Sequence, residues 1–293
     1  MTEYATNSES VRRRVSRVIR GVPATDGAGV ELTRVIAQPA LPMLDPFLLL
    51  DAFRSDQPGD YIAGFPPHPH RGFETVTYLV EGHMKHRDHL GNEGLLVSGS
   101  VQWMTAGRGV LHSEMPMQES GRLHGFQLWI NLPAAEKLCE PKYQEYPPDA
   151  IPQITVGSNS TARVIAGTLA TPSTSVTGPV GGVSTQPDFF DLDTAAGDSV
   201  SIPLEAGKRG LLYVYQGSVL IDDGQQQRPL KRQQLGVLGD GDSVAFVAAE
   251  NSRLLLLAGV PLKEPIVNWG PFVMNSPGEI EQAIRDYQQG RLV

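Results

Sequence analysis

The stretch HPHRGFETVTYLVEGHMKHRDH, residues 68–89, holds five of the chain's seven histidines. His68 and His70 are two apart, and on an extended strand that spacing puts both imidazoles on one face. Pro69 between them cannot donate to a ladder, which suits a strand edge. A second stretch, GRGVLHSEMP, sets His112 and Glu114 at the same spacing. Two neighbouring strands carrying such pairs would aim three neutral imidazoles and one carboxylate at a common point. That donor set suits a divalent iron, manganese, nickel or copper ion, and an octahedral centre would keep positions open for a substrate. The set contains no cysteine, which argues against a structural zinc.

The other histidines read as structural. His83, His86 and His89 are three apart, so consecutive members point to opposite strand faces and cannot all reach one ion. They are expected to be partly exposed members of a strand and hairpin. His124 opens HGFQLWINL and is expected to be a satisfied structural histidine. Trp103 and Met104 are expected in the core or in a pocket wall. Gly107 and Gly109 serve a tight turn, because no strand–glycine loop–helix context for a nucleotide surrounds them.

Strands must position these groups. FETVTYLVEG, HGFQLWINL, GLLYVYQGSVLIDD, DSVAFVAA and SRLLLLAG are short, rich in β-branched and aromatic residues, and bounded by Gly, Asp or Asn. TYLVEGHMKHRD at 77–88 echoes LYVYQGSVLIDD at 212–223, with Tyr78 matching Tyr213 and Gly82 matching Gly217. Two copies of one all-β unit follow, with the seam in EPKYQEYPPDAIPQ at 140–153. Every histidine lies at or before His124, so only the first copy can do imidazole chemistry. One helix is expected near the end: Ser276 as N-cap, Pro277 at the first helical position, Glu279 completing a capping box and Gly290 as the stop, packed outside a sheet.

Composition narrows the partners. A formal net charge of -8 argues against nucleic acid. VRRRVSRVIRG, residues 11–21, reads as an alternating edge strand with solvated arginines and Val11, Val15, Val18 and Ile19 partly buried. A single cysteine, Cys139, excludes an internal disulfide. No apolar run reaches the length of a membrane span. MTEYATNSES is unlike a transit peptide, and a cytoplasmic monomer is expected.

HPHRGFETVTYLVEGHMKHRD, VQWMTAGRGVLHSEMP and EPIVNWGPFVMN closely resemble the pirins, a branch of the bicupins. The resemblance spans nearly the whole chain and is most specific in residues 64–132. It implies two tandem cupin (jelly-roll-like) β-barrels with a short C-terminal helix: a metal-binding domain 1–139 and a domain 140–293 without ligands. The implied ligands of one mononuclear ion are His68, His70, His112 and Glu114, with iron(II) first and Mn, Ni, Cu or Zn as alternatives. The general cupin pattern fits less closely. Gly64 stands late, Pro116 occupies the place of an asparagine, and Glu74 stands where most cupins have their carboxylate ligand. Glu114 shares a strand face with His112 and matches the pirins, so it takes the ligand role and Glu74 a hydrogen-bonding one. The resemblance implies a quercetin 2,3-dioxygenase-like enzyme that opens a flavonol with O2, Glu114 acting as base and Phe65 and Trp103 walling the pocket. The rival reading is an iron-dependent regulator that binds a transcription factor or a metabolic enzyme.

Overall fold

The structure, a computed structural model, describes residues 11–293; the opening MTEYATNSES lies outside the described residues. All strand pairs within its sheets are antiparallel, as expected where neighbouring strands are joined by short turns. The first lobe has a seven-stranded sheet in the order Lys142–Tyr146, Val101–Thr105, Phe73–Glu81, Leu123–Asn131, Phe47–Ser55, Val30–Ile36, Val22–Asp26. Facing it is a four-stranded sheet, Phe65–His70, Val110–Pro116, Met84–Asp88, Glu93–Leu96. The second lobe repeats the plan. Its seven strands run Val15–Arg20, Gln234–Leu238, Arg209–Gln216, Ser252–Gly259, Asp188–Thr194, Thr161–Ala166, Gln153–Thr155. Its four run Ser199–Pro203, Ser243–Ala248, Ser218–Asp222, Gln227–Lys231. These are the two copies of an all-β unit expected from the repeat, and the two jelly-roll barrels that the resemblance implies.

Strand parity sorts the side chains. Val76 and Tyr78 on one strand, and Leu211, Tyr213 and Tyr215 on its counterpart, enter one buried cluster shared by the two seven-stranded sheets, which therefore pack back to back. Trp103 lies in this cluster and not in a pocket wall, because it shares the face of Val76, its cross-strand partner. Asp191 ties the lobes together, accepting from Tyr78 Oη at 2.6 Å and Tyr215 Oη at 2.5 Å, and pairing with Arg253 at 3.0 Å.

The expected seam is crossed in both directions. Val15–Arg20 is hydrogen-bonded to Gln234–Leu238 in the second lobe, and Lys142–Tyr146 to Val101–Thr105 in the first. Each lobe thus takes an edge strand from the far side of residue 139. The arginine-rich segment is an edge strand with Val15 and Ile19 buried, but Val11 is exposed. Arg13 is not solvated: it is buried and donates to the carbonyls of Gly241, Lys208 and Glu205.

The helix forms over Pro277–Gln288, with Glu279 N–H donating to Ser276 Oγ and Asn275 N–H to the Glu279 carboxylate. It packs on the hairpin Val267–Trp269/Phe272–Met274 through Ile280 and Ala283. This terminal segment returns to the first lobe. Arg71 pairs with Asp286 at 2.8 Å, and Val273 N–H donates to Arg71 O. The buried Lys137 ammonium donates to Gly72 O and Asn131 Oδ1, both at 2.7 Å, and to Val273 O at 3.0 Å. Among the described residues no helix is long and apolar enough to cross a membrane.

Candidate metal centre

The strands Phe65–His70 and Val110–Pro116 lie side by side, with His112 opposite His68 and Val110 opposite His70. The imidazoles of His68, His70 and His112 gather with one ring nitrogen of each within 4.8 Å of the others. Their ring centroids are 4.4 to 4.9 Å apart. Glu114 does not join that group. The ladder shifts between His112 and Glu114, where Pro66 and Pro67 lack amide hydrogens, and Glu114 comes to stand opposite Phe65. Its carboxylate is buried, and Oε1 accepts from Thr77 Oγ1 at 2.6 Å.

The ring nitrogens suit a cation. His68 Nδ1 lies 2.8 Å from the Pro66 carbonyl. That oxygen can only accept, so Nδ1 carries the hydrogen and Nε2 keeps its lone pair. His70 Nδ1 and His112 Nε2 are buried without a hydrogen-bond partner. Burial, and then the neighbouring imidazoles, hold His70 and His112 well below the usual histidine range, so both are neutral. Neutral imidazoles with free lone pairs are what a divalent ion needs, and the site could hold one. Trp129 and Phe73 brace the His70 ring edge-on, each with centroids 5.2 Å away.

His86 was not expected here. It is buried, its Nδ1 lies 3.5 Å from His112 Nδ1, and its ring stacks on Tyr143 at 4.5 Å. Asp88 Oδ2 is 3.6 Å from its Nε2. Parity excludes the three histidines 83, 86 and 89 as a set, yet Met84, His86 and Asp88 alternate along one strand and share its inner face; that alternation was the available signal. His83 and His89 are exposed, as expected.

Glu74 is a buried hydrogen-bonding group, accepting from Thr105 Oγ1 at 2.9 Å. It sits on the outward face of its strand with Val76, towards the lobe interface. Burial pushes its carboxyl up to about 7, against the hydrogen bond from Thr105. His124 packs on Phe126 and Tyr215, and burial with Arg54 and Arg253 nearby lowers it to about 3. Gly107 turns with φ 50°, and a side chain there would strike the Cys139 carbonyl.

A cavity of about 680 Å³ opens beside His68, His70 and Glu114. Phe65, Leu49, Phe53, Trp129 and Val273 form its apolar walls, and the terminal hairpin contributes Asn268, Gly270 and Pro271. Its floor is polar, formed by Gln127, Asp51 and Arg34. Together with Gln102 and Thr77 they are successive cross-strand partners in one row across the seven-stranded sheet. Thr77 links this row to Glu114 and also lies 2.9 Å from Gln127 Oε1.

Paired jelly rolls with, among the described residues, a histidine cluster in only the first define a bicupin with one candidate metal site. The sequence pattern of the Pirin family matches residues 29–130, and that of the Pirin C-terminal cupin domain matches residues 189–293. The chain belongs to the pirin family. It is 48% identical over 280 residues to a Pseudomonas aeruginosa protein named "Putative quercetin 2,3-dioxygenase", covering 96% of this chain and 98% of that one. Human pirin is 41% identical over 91% of this chain and 89% of its own. Among solved structures, a quercetin 2,3-dioxygenase from Acinetobacter baumannii superposes with a TM-score of 0.87 at 32% identity, covering 96% of this chain and 98% of that one.

Proposed function

We propose that the protein is a metal-dependent dioxygenase that opens a flavonol with O2, as a quercetin 2,3-dioxygenase does. The observation that carries the reading is the cluster of three imidazoles at the wall of a large, mostly apolar cavity. His68, His70 and His112 would hold the ion, with Glu114, which stands outside their cluster but two residues beyond His112 on the same strand and in the lining of the same cavity, as the proposed fourth ligand and iron(II) as the proposed metal. When bound, the ion supplies Lewis acidity to the 3-hydroxyl and 4-keto oxygens of the substrate.

The chain's own groups do the rest. Glu114 takes the proton of the 3-hydroxyl, while the Thr77 hydroxyl holds its Oε1 in place. The walls around Phe65 and Trp129 lie against the aromatic rings and keep water from the reacting carbons. Overall, one O2 enters the product and one carbon monoxide leaves per flavonol.

The test is to load the purified protein with Fe(II), add quercetin and O2, and follow the loss of flavonol absorbance. Turnover is expected, and Glu114→Gln should slow it about 100-fold or more. Protein that retains its metal yet turns over no flavonol would sink the enzyme reading in favour of an iron-dependent regulator.

A further inference from the structure

The polar floor of the cavity ends in a charge arrangement that the ring-opening chemistry does not use. Arg34 donates to Asp51 through Nε at 3.0 Å and through a terminal nitrogen at 2.7 Å. The same nitrogen donates to Asp26 at 2.6 Å. One guanidinium therefore serves two carboxylates, and this end of the cavity carries an excess negative charge.

Asp51 is only 3% exposed, and it lines the cavity together with Arg34 and Asp26. Each of its oxygens holds one hydrogen bond from Arg34 and has a second lone pair to offer. Leu49 and Phe53 flank it on the same strand face and Leu32 lines the same cavity, the setting of an aromatic ring rather than of a hydrated chain. One strand, that of Gln127, lies between Asp51 and Thr77, the residue bonded to Glu114. That is roughly 10 Å, two strand spacings. A flavonol reaches about that far from its chelating oxygens through a pendant-ring hydroxyl to a hydrogen-bonded acceptor.

We propose that Asp51, clamped by Arg34, is a specificity-determining residue that accepts a hydrogen bond from a hydroxyl on the substrate's pendant ring, and that the Arg34–Asp51–Asp26 set turns away ligands bearing a carboxylate there. The assignment rests on the metal-centre reading above. It names the substrate class more narrowly: a planar enol whose far ring carries a neutral hydrogen-bond donor. An arginine without acidic neighbours would select the opposite, an acid. Here the arginine is already neutralised, and a carboxylate would meet two others.

The experiment is binding without turnover. The protein is loaded with redox-silent Zn(II) and titrated without O2, following tryptophan fluorescence. Three ligands are used: a flavonol with one pendant-ring hydroxyl, one with a bare pendant ring, and one with a pendant-ring carboxylate. The hydroxylated ligand is expected to bind about 10-fold more tightly than the bare one, the value of one hydrogen bond to a charged group. The carboxylated ligand should bind at least about 10-fold more weakly than the bare one.

Asp51→Leu should erase the hydroxyl advantage, with circular dichroism confirming the fold. Asp26→Asn, at a half-exposed position, should keep the hydroxyl advantage and relieve the rejection of the carboxylate. Equal wild-type affinity for the hydroxylated and bare ligands, with Zn(II) still required, overturns the assignment and leaves the metal centre standing. An unchanged carboxylate penalty in Asp26→Asn overturns the exclusion. Binding indifferent to Zn(II) overturns the metal reading and this assignment with it.

Discussion

The inner row Gln102–Thr77–Gln127–Asp51–Arg34 of the first barrel has a counterpart in the second, Gly236–Leu212–Leu256–Phe190–Val164, on the same succession of strands. Thr77 and Leu212 are 135 residues apart, the offset of the sequence repeat. One row is polar and borders a cavity. The other is apolar, and its Leu212, Leu256, Phe190 and Val164 sit in one continuous core. The facing sheets differ in the same way. Where the first barrel has His68, His70 and His112, the second fills the corresponding pair of strands with Val200, Ile202, Val244 and Phe246. Buried side-chain atoms without a partner also concentrate in the first lobe: His70, Thr75, His86, Gln102 and His112 all belong to it. Backbone ladders hold both barrels, so the interior of one is free to vary. The apolar interior supplies stability at about 1.5–3 kcal/mol for each large side chain. The polar interior gives some of that up for chemistry.

The largest expected effect lies in the first barrel. His70→Ala should lower bound metal by 100-fold or more in competition titrations, while the melting of the second barrel is unmoved. Loss of both together would erase the distinction between the lobes. In the second barrel the damaging change is a charge. Phe190→Asp puts a carboxylate into an apolar core with no partner and should cost about 4 kcal/mol in urea denaturation. Asp51 on the matching strand of the first barrel is borne because Arg34 meets it.

A smaller effect comes from Glu74 at the lobe interface. Its carboxyl titrates near 7 when folded and near 4.5 otherwise. Between those values the folded protein keeps a proton that the unfolded chain releases, so stability falls as pH rises through this window. Asp51, raised to about 6 by burial, adds the same sign between 3.8 and 6. Glu74→Gln should flatten the decline by about 2 kcal/mol across pH 4.5 to 7, measured as urea midpoints. The smallest is Ser276→Ala. Losing the cap should cost about 1 kcal/mol. Hydrogen exchange should rise in the terminal helix and around Arg71, and not in the second barrel.

Much of this was legible in the sequence. Spacing of two residues placed His68 beside His70 on a strand face, and the 135-residue echo revealed the duplicated barrel. Capping residues marked the helix to within a residue. What stayed hidden depends on which chain segment comes to lie beside which. The three-residue spacing of His83, His86 and His89 hides His86, although its own strand turns it inward. For Trp103 the sequence leaves core and pocket wall both open, because nothing local shows which face of its strand meets the other lobe. The polar row was invisible because its five residues come from five strands, brought into register only by the ladders. The exchange of edge strands across residue 139 is hidden for the same reason, since no local pattern in 15–20 points to 234–238.

That exchange has a practical consequence for anyone dividing the gene. A fragment ending at residue 139 would lack Lys142–Tyr146, and one starting at 140 would lack Val15–Arg20. Each half would then present a bare row of backbone donors and acceptors, ready to recruit a strand from a neighbouring copy. Co-expressed halves should find each other, whereas either half alone should precipitate.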